Sequence, residues 1–197
     1  AESKAEDSND LERLADSISE NLEDKEWAKK LYIKVETQAE DCRDFTNLAS
    51  SIHKYLGDKE WAKKLYMKAE SKAEGCNDFT NLADSIHKQL GDKEWAKKIY
   101  MKAESKAEDF QGGNNFSLLA RSIHVNLGDK EWARKVYSKA ESKANDSGDF
   151  CGLADSLFEN FGDEEWATRL YKKAGGKAEK SSEFRGLADS LLKNLGD

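Results

Sequence analysis

The chain contains no proline, and its 197 residues include no long apolar run. Proline interrupts a helix because it lacks an amide hydrogen and clashes with the preceding turn, so its absence favours unbroken helices. A membrane-spanning helix needs about 20 consecutive apolar residues, so we expect no membrane partner. The alternation of apolar and polar residues that is typical of strands is also missing, whereas helix-favouring Ala, Leu, Lys and Glu are abundant.

A basic excess is missing as well. The chain has 32 Lys and Arg against 39 Asp and Glu, which gives a net charge of −7. A nucleic-acid-binding protein needs basic side chains to displace the counterions of the phosphates, so the sequence argues against a nucleic-acid partner. No phosphate-binding loop, Cys–His arrangement or acid pair suggests catalysis, so we expect no enzymatic activity and no cofactor.

Cysteine is scarce and odd in number, with Cys42, Cys76 and Cys151. Cys42 and Cys76 lie 34 residues apart, which is the period of the repeat described below. Equivalent helices of successive repeats are about 8–10 Å apart, beyond the Cα reach of about 7 Å for a disulfide. We therefore expect free thiols in a reducing compartment and a cytoplasmic location. No signal peptide is visible, but the chain begins with Ala1 rather than Met, which leaves open that a leader was removed.

What the chain has in abundance is repetition. The string Leu-Gly-Asp-Lys-Glu-Trp-Ala begins three times, with near-copies at two further positions, at Leu56, Leu90, Leu127, Leu22 and Phe161. Successive tryptophans are 34, 34, 37 and 34 residues apart, at Trp27, Trp61, Trp95, Trp132 and Trp166. A fixed period of this length predicts a solenoid in which each unit packs on its neighbours.

Each repeat contains two amphipathic patterns, which we call helix A and helix B. Helix A has one apolar stripe, formed in the third copy by Phe79, Leu82, Ala83, Ile86 and Leu90. We expect Asp78 to be its N-cap, and likewise the matching residues Asp10, Asp44, Asn115 and Asp149. Gly91 is expected to end helix A in a left-handed conformation, and Asp92 to cap helix B. The two helices must then be antiparallel neighbours.

Helix B is expected to run from about Lys93 to Glu108, with one apolar face made by Trp95, Ala96, Ile99, Tyr100, Ala103 and Ala107. The Trp and Tyr of this face recur in all five copies, which predicts a ladder of aromatic pairs. Core packing explains this ladder better than a box for an aromatic ligand.

This pattern resembles the tetratricopeptide repeat (TPR) family, whose positions are filled here by Phe79, Leu82, Ala83, Ile86, Gly91, Ala96, Tyr100 and Ala103. The chain departs from that family in two ways: Leu82 to Gly91 is one residue longer, and the closing proline is missing. Sel1-like repeats are a second candidate. The resemblance implies an all-α, right-handed superhelical solenoid of antiparallel helix pairs, with about 11 helices and a leading helix fragment.

We expect one repeat array over residues 1–197. Residues 1–9 are interpreted as the end of a preceding helix B, followed by repeats at 10–43, 44–77, 78–114, 115–148 and 149–182 and a half repeat at 183–197. The last helix A lacks a B partner, so Leu187, Leu191 and Leu195 are expected to be partly exposed. Either the chain comes from a longer array or it stacks end to end.

Two glycine pairs interrupt the regular pattern. Gly112 and Gly113 lie in a three-residue insertion between Asp109 and Asn115, which is more simply a tolerated surface loop than a binding loop. Gly175 and Gly176 lie inside the last helix B, where each costs about 1 kcal/mol relative to alanine. We therefore expect that helix to fray or to end early.

The three histidines share one position in helix A. The resemblance implies that this side of the A helices lines a concave groove for peptides, with as candidates Asp16, Ser19, Thr46, Ser50, His53, Thr80, Asp84, His87, Ser117, Arg121, His124, Asp155, Phe158 and Asp189. Half-buried packing is the alternative for the histidines. A metal site is disfavoured, because ligands lie about 2.0–2.1 Å from a metal and stacked helices are about 10 Å apart.

Two functions remain open. The first is a scaffold that binds a protein or peptide segment through the A helices, with a basic partner favoured by the aspartates at 16, 84, 155 and 189. The second is a structural spacer or an end-to-end self-assembling segment, for which near-identical repeats suffice. In that case the chain would be a natural fragment of a longer protein or a consensus-like design.

Overall fold

A computed structural model describes residues 8–109 and 113–196, and all the regular structure within them is helical. The expected helix fragment at 1–9 falls largely outside the described residues. In chain order the helices are α1 (Ser8–Asn21), α2 (Lys25–Gln38), α3 (Cys42–Ser51), α4 (Lys59–Lys72), α5 (Cys76–Ser85), α6 (Lys93–Ala107), α7 (Asn114–Ser122), α8 (Lys130–Lys143), α9 (Ser147–Phe161), α10 (Glu164–Lys177) and α11 (Ser181–Leu195).

The helices form two compact units, Ala1–Ile99 and Tyr100–Asp197, with the boundary inside α6. In the first unit α1 packs on α2 and α3 on α4; in the second α7 packs on α8 and α9 on α10. Consecutive A helices also contact each other within a unit, as α3 does with α5 and α9 with α11. The predicted fold class, all-α with TPR-like helix pairs, is confirmed. The repeat boundaries stay a prediction.

The turn between paired helices follows the local sequence signals. Gly91 has a φ of 68°, a left-handed conformation that side chains disfavour. Asp92 then accepts the amide of Trp95 at 2.9 Å, as an N-cap does. In the first copy Glu23 replaces the glycine and still adopts a φ of 54°. Backbone geometry at this turn is therefore kept even where the residue type opposes it.

The N-caps of the A helices were placed too late by the sequence. Helix α3 begins at Cys42, and its N-cap Asp41 accepts the amide of Asp44 at 2.9 Å. Asp44 in turn accepts the amides of Glu40 and Asp41, which makes a reciprocal capping box. The matching residues Asp78 and Asp149 are third helical residues too, whereas Asp10 and Asn115 lie within helices. The apolar stripe begins a turn inside the helix, which explains the error.

The A helices end in a widened turn. Helices α3, α5 and α7 continue into five-residue π-helical turns at Ile52–Leu56, Ile86–Leu90 and Ile123–Leu127. In α9, the Gly162 amide donates to the carbonyls of both Leu157 and Phe158. A π turn holds more residues than an α turn, so it accommodates the extra residue before the glycine.

The core lies between the helices of each pair and is rich in tyrosine and alanine. Tyr32, Tyr66, Tyr100 and Tyr137 have no exposed surface. Most tryptophans are only half-buried, and Trp27 is 37% exposed. The predicted aromatic ladder links successive repeats: Tyr66 meets Trp95, and Tyr137 meets Trp166, edge to face at 6.4 Å.

The two glycine pairs behave differently from each other. Gly113 is the N-cap of α7, and a side chain there would begin 2.6 Å from the carbonyl oxygen of Ala140, so any other residue would require the backbone to shift. The rest of that insertion, residues 110–112, is outside the described residues. The expectation that Gly175 and Gly176 shorten their helix is wrong, because α10 extends to Lys177. Ala174 in this last turn is fully buried, which favours keeping the turn helical.

The last A helix is partly uncovered. As predicted, Leu187 and Leu191 are partly exposed; the side chain of Leu195 is outside what the structure describes. Phe184 and Leu192 on the same helix are 51% and 71% exposed.

Candidate functional site

The aspartate position predicted to line the groove is joined to the core tyrosines. The Tyr32 hydroxyl donates to Asp16 at 2.7 Å, and the Tyr171 hydroxyl donates to Asp155 at 2.6 Å. In the second copy Ser50 takes this position and lies 2.9 Å from the Tyr66 hydroxyl. These side chains therefore tie helix A to helix B within a repeat.

A serine column missed by the sequence reasoning extends these links to the next repeat. Ser51 donates to Glu12 at 2.9 Å and to Asp16 at 3.4 Å. Ser190 donates to Asp155 at 3.1 Å. The signal was present in the sequence, because one position of helix A is serine in all six A helices: Ser17, Ser51, Ser85, Ser122, Ser156 and Ser190.

Burial shifts the protonation of this network. Desolvation, helped by the neighbouring Asp16, raises the pKa of the Tyr32 hydroxyl. Burial also raises the pKa of the Asp16 carboxyl, against the hydrogen bonds from Tyr32 and Ser51. The carboxylate of Asp16 thus lies in a partly dry environment and already has hydrogen-bond donors from the fold.

The small hydroxyl residues among the candidates lie below the helix surface. Thr46 is buried and donates to the carbonyl of Cys42 at 2.7 Å, and buried Thr80 does the same to Cys76 at 2.8 Å. Half-buried Ser117 donates to the carbonyl of Gly113 at 3.2 Å. Ser19 is buried as well, and no hydrogen-bond partner for it is found in the described chain.

The cysteines are free thiols, as predicted. Cys42 and Cys76 are buried beside the threonines one turn later, and burial raises the pKa of the Cys42 thiol to about 11. Cys151 is half-buried and donates to Ser190 at 3.3 Å. These thiols belong to the packing of the A helices.

The histidine column is half-buried. His53, His87 and His124 each occupy the second residue of a π turn. The His124 ring lies 5.1 Å from the Phe161 ring, and Phe158, which holds the same column in α9, is half-buried. Among the residues described, no three His, Cys, Asp or Glu side chains are grouped to hold a metal ion.

The remaining candidates differ in exposure. Arg121 and Asp189 are exposed, whereas Asp84 is half-buried. Four further exposed side chains on helix A were not among the candidates: Asn47, Asn81, Lys54 and Lys88. Each of the four follows a candidate residue by one position in the chain. The solvent-accessible side of helix A is therefore offset by one residue from the side that the pattern suggested.

The tryptophans of the B helices make a second periodic set of contacts. The indole of Trp61 donates to Glu36 at 2.8 Å, Trp95 to Glu70 at 3.0 Å, and Trp132 to Glu104 at 2.8 Å. Lys68 also donates to Glu36 at 2.5 Å, and Lys139 contacts Glu104 at 2.9 Å. Each such glutamate fixes the next B helix in register, which is a structural role.

Comparison with known proteins supports the repeat assignment. Residues 79–108, which include most of helix A and all of helix B in the third copy, match the tetratricopeptide repeat family. No curated protein matches the chain. Within the described ranges, no helix has the length and apolar character needed to cross a membrane.

Proposed function

Because the chain is a TPR-like repeat protein, a class that commonly mediates protein–protein interaction, we propose that it binds an extended peptide along the exposed side of its A helices. Such repeats are typically scaffolds rather than enzymes, and we propose no catalytic step. The surface in question is formed in the first unit by α3 and α5, which contact each other.

One observation carries this proposal. Asn47 and Asn81 occupy equivalent positions on the two helices, are both exposed, and make no hydrogen bond within the described structure. An amide side chain offers a donor and an acceptor at once, as the backbone of an extended peptide requires. Neighbouring polar candidates such as Ser50 and Thr80 are already hydrogen-bonded within the fold.

The spacing suits an extended chain. Packed helices lie about 8–10 Å apart, and an extended peptide advances about 3.3 Å per residue. One asparagine therefore meets the peptide about every three residues. His53 and His87 follow the asparagines by six residues on the same helices and are half-buried.

The charge of the partner stays a prediction. A basic peptide was favoured by four aspartates, but Asp16 and Asp155 accept hydrogen bonds from tyrosines of the fold. Asp189 is exposed, whereas Lys54 and Lys88 are exposed beside the asparagines. Basic, acidic and neutral peptides therefore all belong in the test.

The test is an array of immobilised 12-residue peptides of these three charge classes, probed with labelled protein. We expect saturable binding that is lost when Asn47→Ala and Asn81→Ala are combined and kept in the control Thr37→Ala on α2. Equal binding by the double variant and the control would overturn the proposal.

End-to-end self-assembly is the second candidate, and exposed Phe184 and Leu192 on α11 favour it. One residue change opposes it. Gly175 occupies the position at which Glu141 and its equivalents accept a hydrogen bond from the tryptophan indole of the next helix B. A copy stacked in the repeat register would find no acceptor there. Sedimentation equilibrium distinguishes the candidates, since stacking requires a mass that rises with concentration.

A further inference from the structure

We infer a second interaction surface, on the outer side of the B helices of the first unit, that fits an acidic amphipathic helix of a partner protein. It consists of Ile33 and Met67 with the lysines beside them, Lys29, Lys30, Lys63 and Lys64. We call it the outer basic face. It is separate from the asparagine side of the A helices and does not depend on the function proposed above.

Two apolar side chains point to solvent at one register position of neighbouring helices. Ile33 on α2 is 49% exposed and Met67 on α4 is 58% exposed. The buried sides of these helices are formed by other residues, among them Tyr32 and Tyr66. Burying an exposed aliphatic side chain is favourable by about 25 cal/mol per Å² of apolar area, so this surface gains from a partner.

The two helices are held side by side at this point. Glu36, one turn beyond Ile33, accepts the indole of Trp61 at 2.8 Å and the ammonium of Lys68 at 2.5 Å. Lys68 follows Met67 directly in the chain. Ile33 and Met67 thus belong to one continuous surface whose geometry is fixed by hydrogen bonds.

The surface is basic although the chain is acidic overall. Helix α2 has four lysines against two glutamates, and α4 has five lysines against two. Glu36 and Glu70 are engaged by Trp61 and Trp95. The exposed lysines at 29, 30, 63 and 64, by contrast, form no ion pair within the described chain.

The same position is polar in the last two B helices, although Met101 on α6 is again apolar and is 59% exposed. Met67 corresponds to Ser138 on α8 and to Lys172 on α10, and both are exposed. An exposed methionine or isoleucine is therefore not needed for the helix pair to fold. This contrast supports a role for Ile33 and Met67 in binding a partner rather than in folding.

The spacing favours a helix as the occupant. Helices in contact are about 8–10 Å apart, and residues seven apart on a helix are separated by about 10.5 Å on one face. Residues on one face of a strand repeat at about 6.8 or 13.6 Å, which fits less well. A helix that crosses α2 and α4 can place one apolar residue on Ile33 and another on Met67, with acids against the lysines.

A membrane surface fits less well. Interfacial helices insert a broad apolar face into the lipid, whereas the apolar faces of α2 and α4 are buried in the fold. Glu26 and Glu60 also lie in the first turns of these helices, where an anionic membrane would repel them.

The test uses an alanine-based peptide of about 18 residues, long enough to form a helix, with leucines seven positions apart and glutamates between them. We expect fluorescence anisotropy to show binding that weakens with added salt. Combining Ile33→Ser with Met67→Ser should weaken it about tenfold through lost apolar burial. Serine is the residue that the chain itself has at position 138, so the fold should be unaffected.

The matched control is Val125→Ser, which removes another exposed apolar side chain from the second unit and should leave the affinity unchanged. Lys63→Glu with Lys64→Glu should abolish binding. Unchanged affinity in the double-serine variant would overturn the proposal. So would equal binding of a lysine-containing peptide of the same pattern, or binding to phosphatidylserine vesicles without binding to the acidic peptide.

Discussion

Trp166 on α10 donates its indole hydrogen to Glu141 on α8 at a distance of 2.7 Å. The bond joins one helix B to the helix B before it, and the same pair recurs at Trp61–Glu36, Trp95–Glu70 and Trp132–Glu104. Repeats in this chain are therefore joined by directional hydrogen bonds as well as by apolar burial. The recurrence of a tryptophan in every complete helix B is consistent with this register.

Removing one of these glutamates should destabilise the second unit. Glu141 also accepts hydrogen bonds from Lys173 at 2.5 Å and Arg169 at 3.0 Å. Because hydrogen bonds to charged groups contribute about 1.5–3 kcal/mol and this site is partly exposed, we expect Glu141→Ala to lower the free energy of unfolding by about 2 kcal/mol. Urea denaturation measures the change.

Glu159→Ala is the matched control. Glu159 forms an exposed ion pair with Lys193, and such pairs contribute about 0–1 kcal/mol. If the two variants lose the same stability, the tryptophan link has no special role in the register of the repeats.

Glu141 and Glu12 should make the free energy of unfolding depend on pH in opposite directions. Burial raises the pKa of Glu141, but its contacts with Lys173 and Trp166 more than offset this and lower the pKa below its ordinary 4.5. Its stabilisation is therefore present above pH 4.5 and lost as the pH falls through the lowered value. Burial, with Asp16 nearby, raises the pKa of Glu12, so its charged form costs stability as the pH rises through that value.

The measurement compares wild type with Glu141→Gln and Glu12→Gln by urea denaturation at several pH values. The stability advantage of wild type over Glu141→Gln should shrink on acidification. Glu12→Gln should instead gain relative to wild type as the pH rises above 4.5. The same sign of pH dependence for both variants would contradict these environments.

Asp155 should stabilise the second unit and hold α11 in its helical position. Its carboxylate accepts hydrogen bonds from Tyr171, Ser190 and Asn194, at 2.6, 3.1 and 3.0 Å. We expect Asp155→Ala to cost about 2 kcal/mol and to speed amide hydrogen exchange in α11. Exposed Asp189 is the control, and Asp189→Ala should change stability by less than about 0.5 kcal/mol. Unaltered exchange in α11 would show that this network does not hold the last helix.

Glu23 offers a gain of stability. It adopts the left-handed conformation that glycine has at position 91, with φ values of 54° and 68°. A non-glycine residue pays about 1–2 kcal/mol for this conformation, part of which is offset by the greater freedom of glycine in the unfolded chain. Glu23→Gly should raise the unfolding free energy by about 0.5–1 kcal/mol, and Gly91→Glu should lower it. A loss of stability in Glu23→Gly would contradict the inferred strain.

Local signals predicted the turns well and the helix starts less well. Gly91 and Asp92 each act through their immediate neighbours, so the sequence pattern was sufficient to place the turn. The N-caps were misplaced because Asp41 and Asp44 form a reciprocal capping box. Both residues are acidic, so the sequence alone does not show which of them is the N-cap and which is the third helical residue. The last turn of α10 persists with Ala174 buried in the core, and helix propensity does not describe such tertiary burial.

The candidate site was predicted at the level of the helix face but not of the individual side chain. Thr80 and His87 share the helix face that the repeat pattern indicated, yet Thr80 is buried and His87 is half-buried. Which side chain reaches solvent depends on the rotation of helix A within its pair. That rotation is set by tertiary packing, including the widened turn at Ile86–Leu90, so Asn47 and Asn81 were not recognised from the sequence.

The most direct test of peptide binding follows the side-chain amide signals of Asn47 and Asn81 by NMR during titration with a peptide selected from the array. The signals are assigned by their loss in Asn47→Ala and Asn81→Ala. Binding along the A helices predicts that both signals shift and saturate with one dissociation constant, while the indole signal of Trp27 on α2 stays unchanged. Saturable binding that leaves both asparagine signals in place would contradict it.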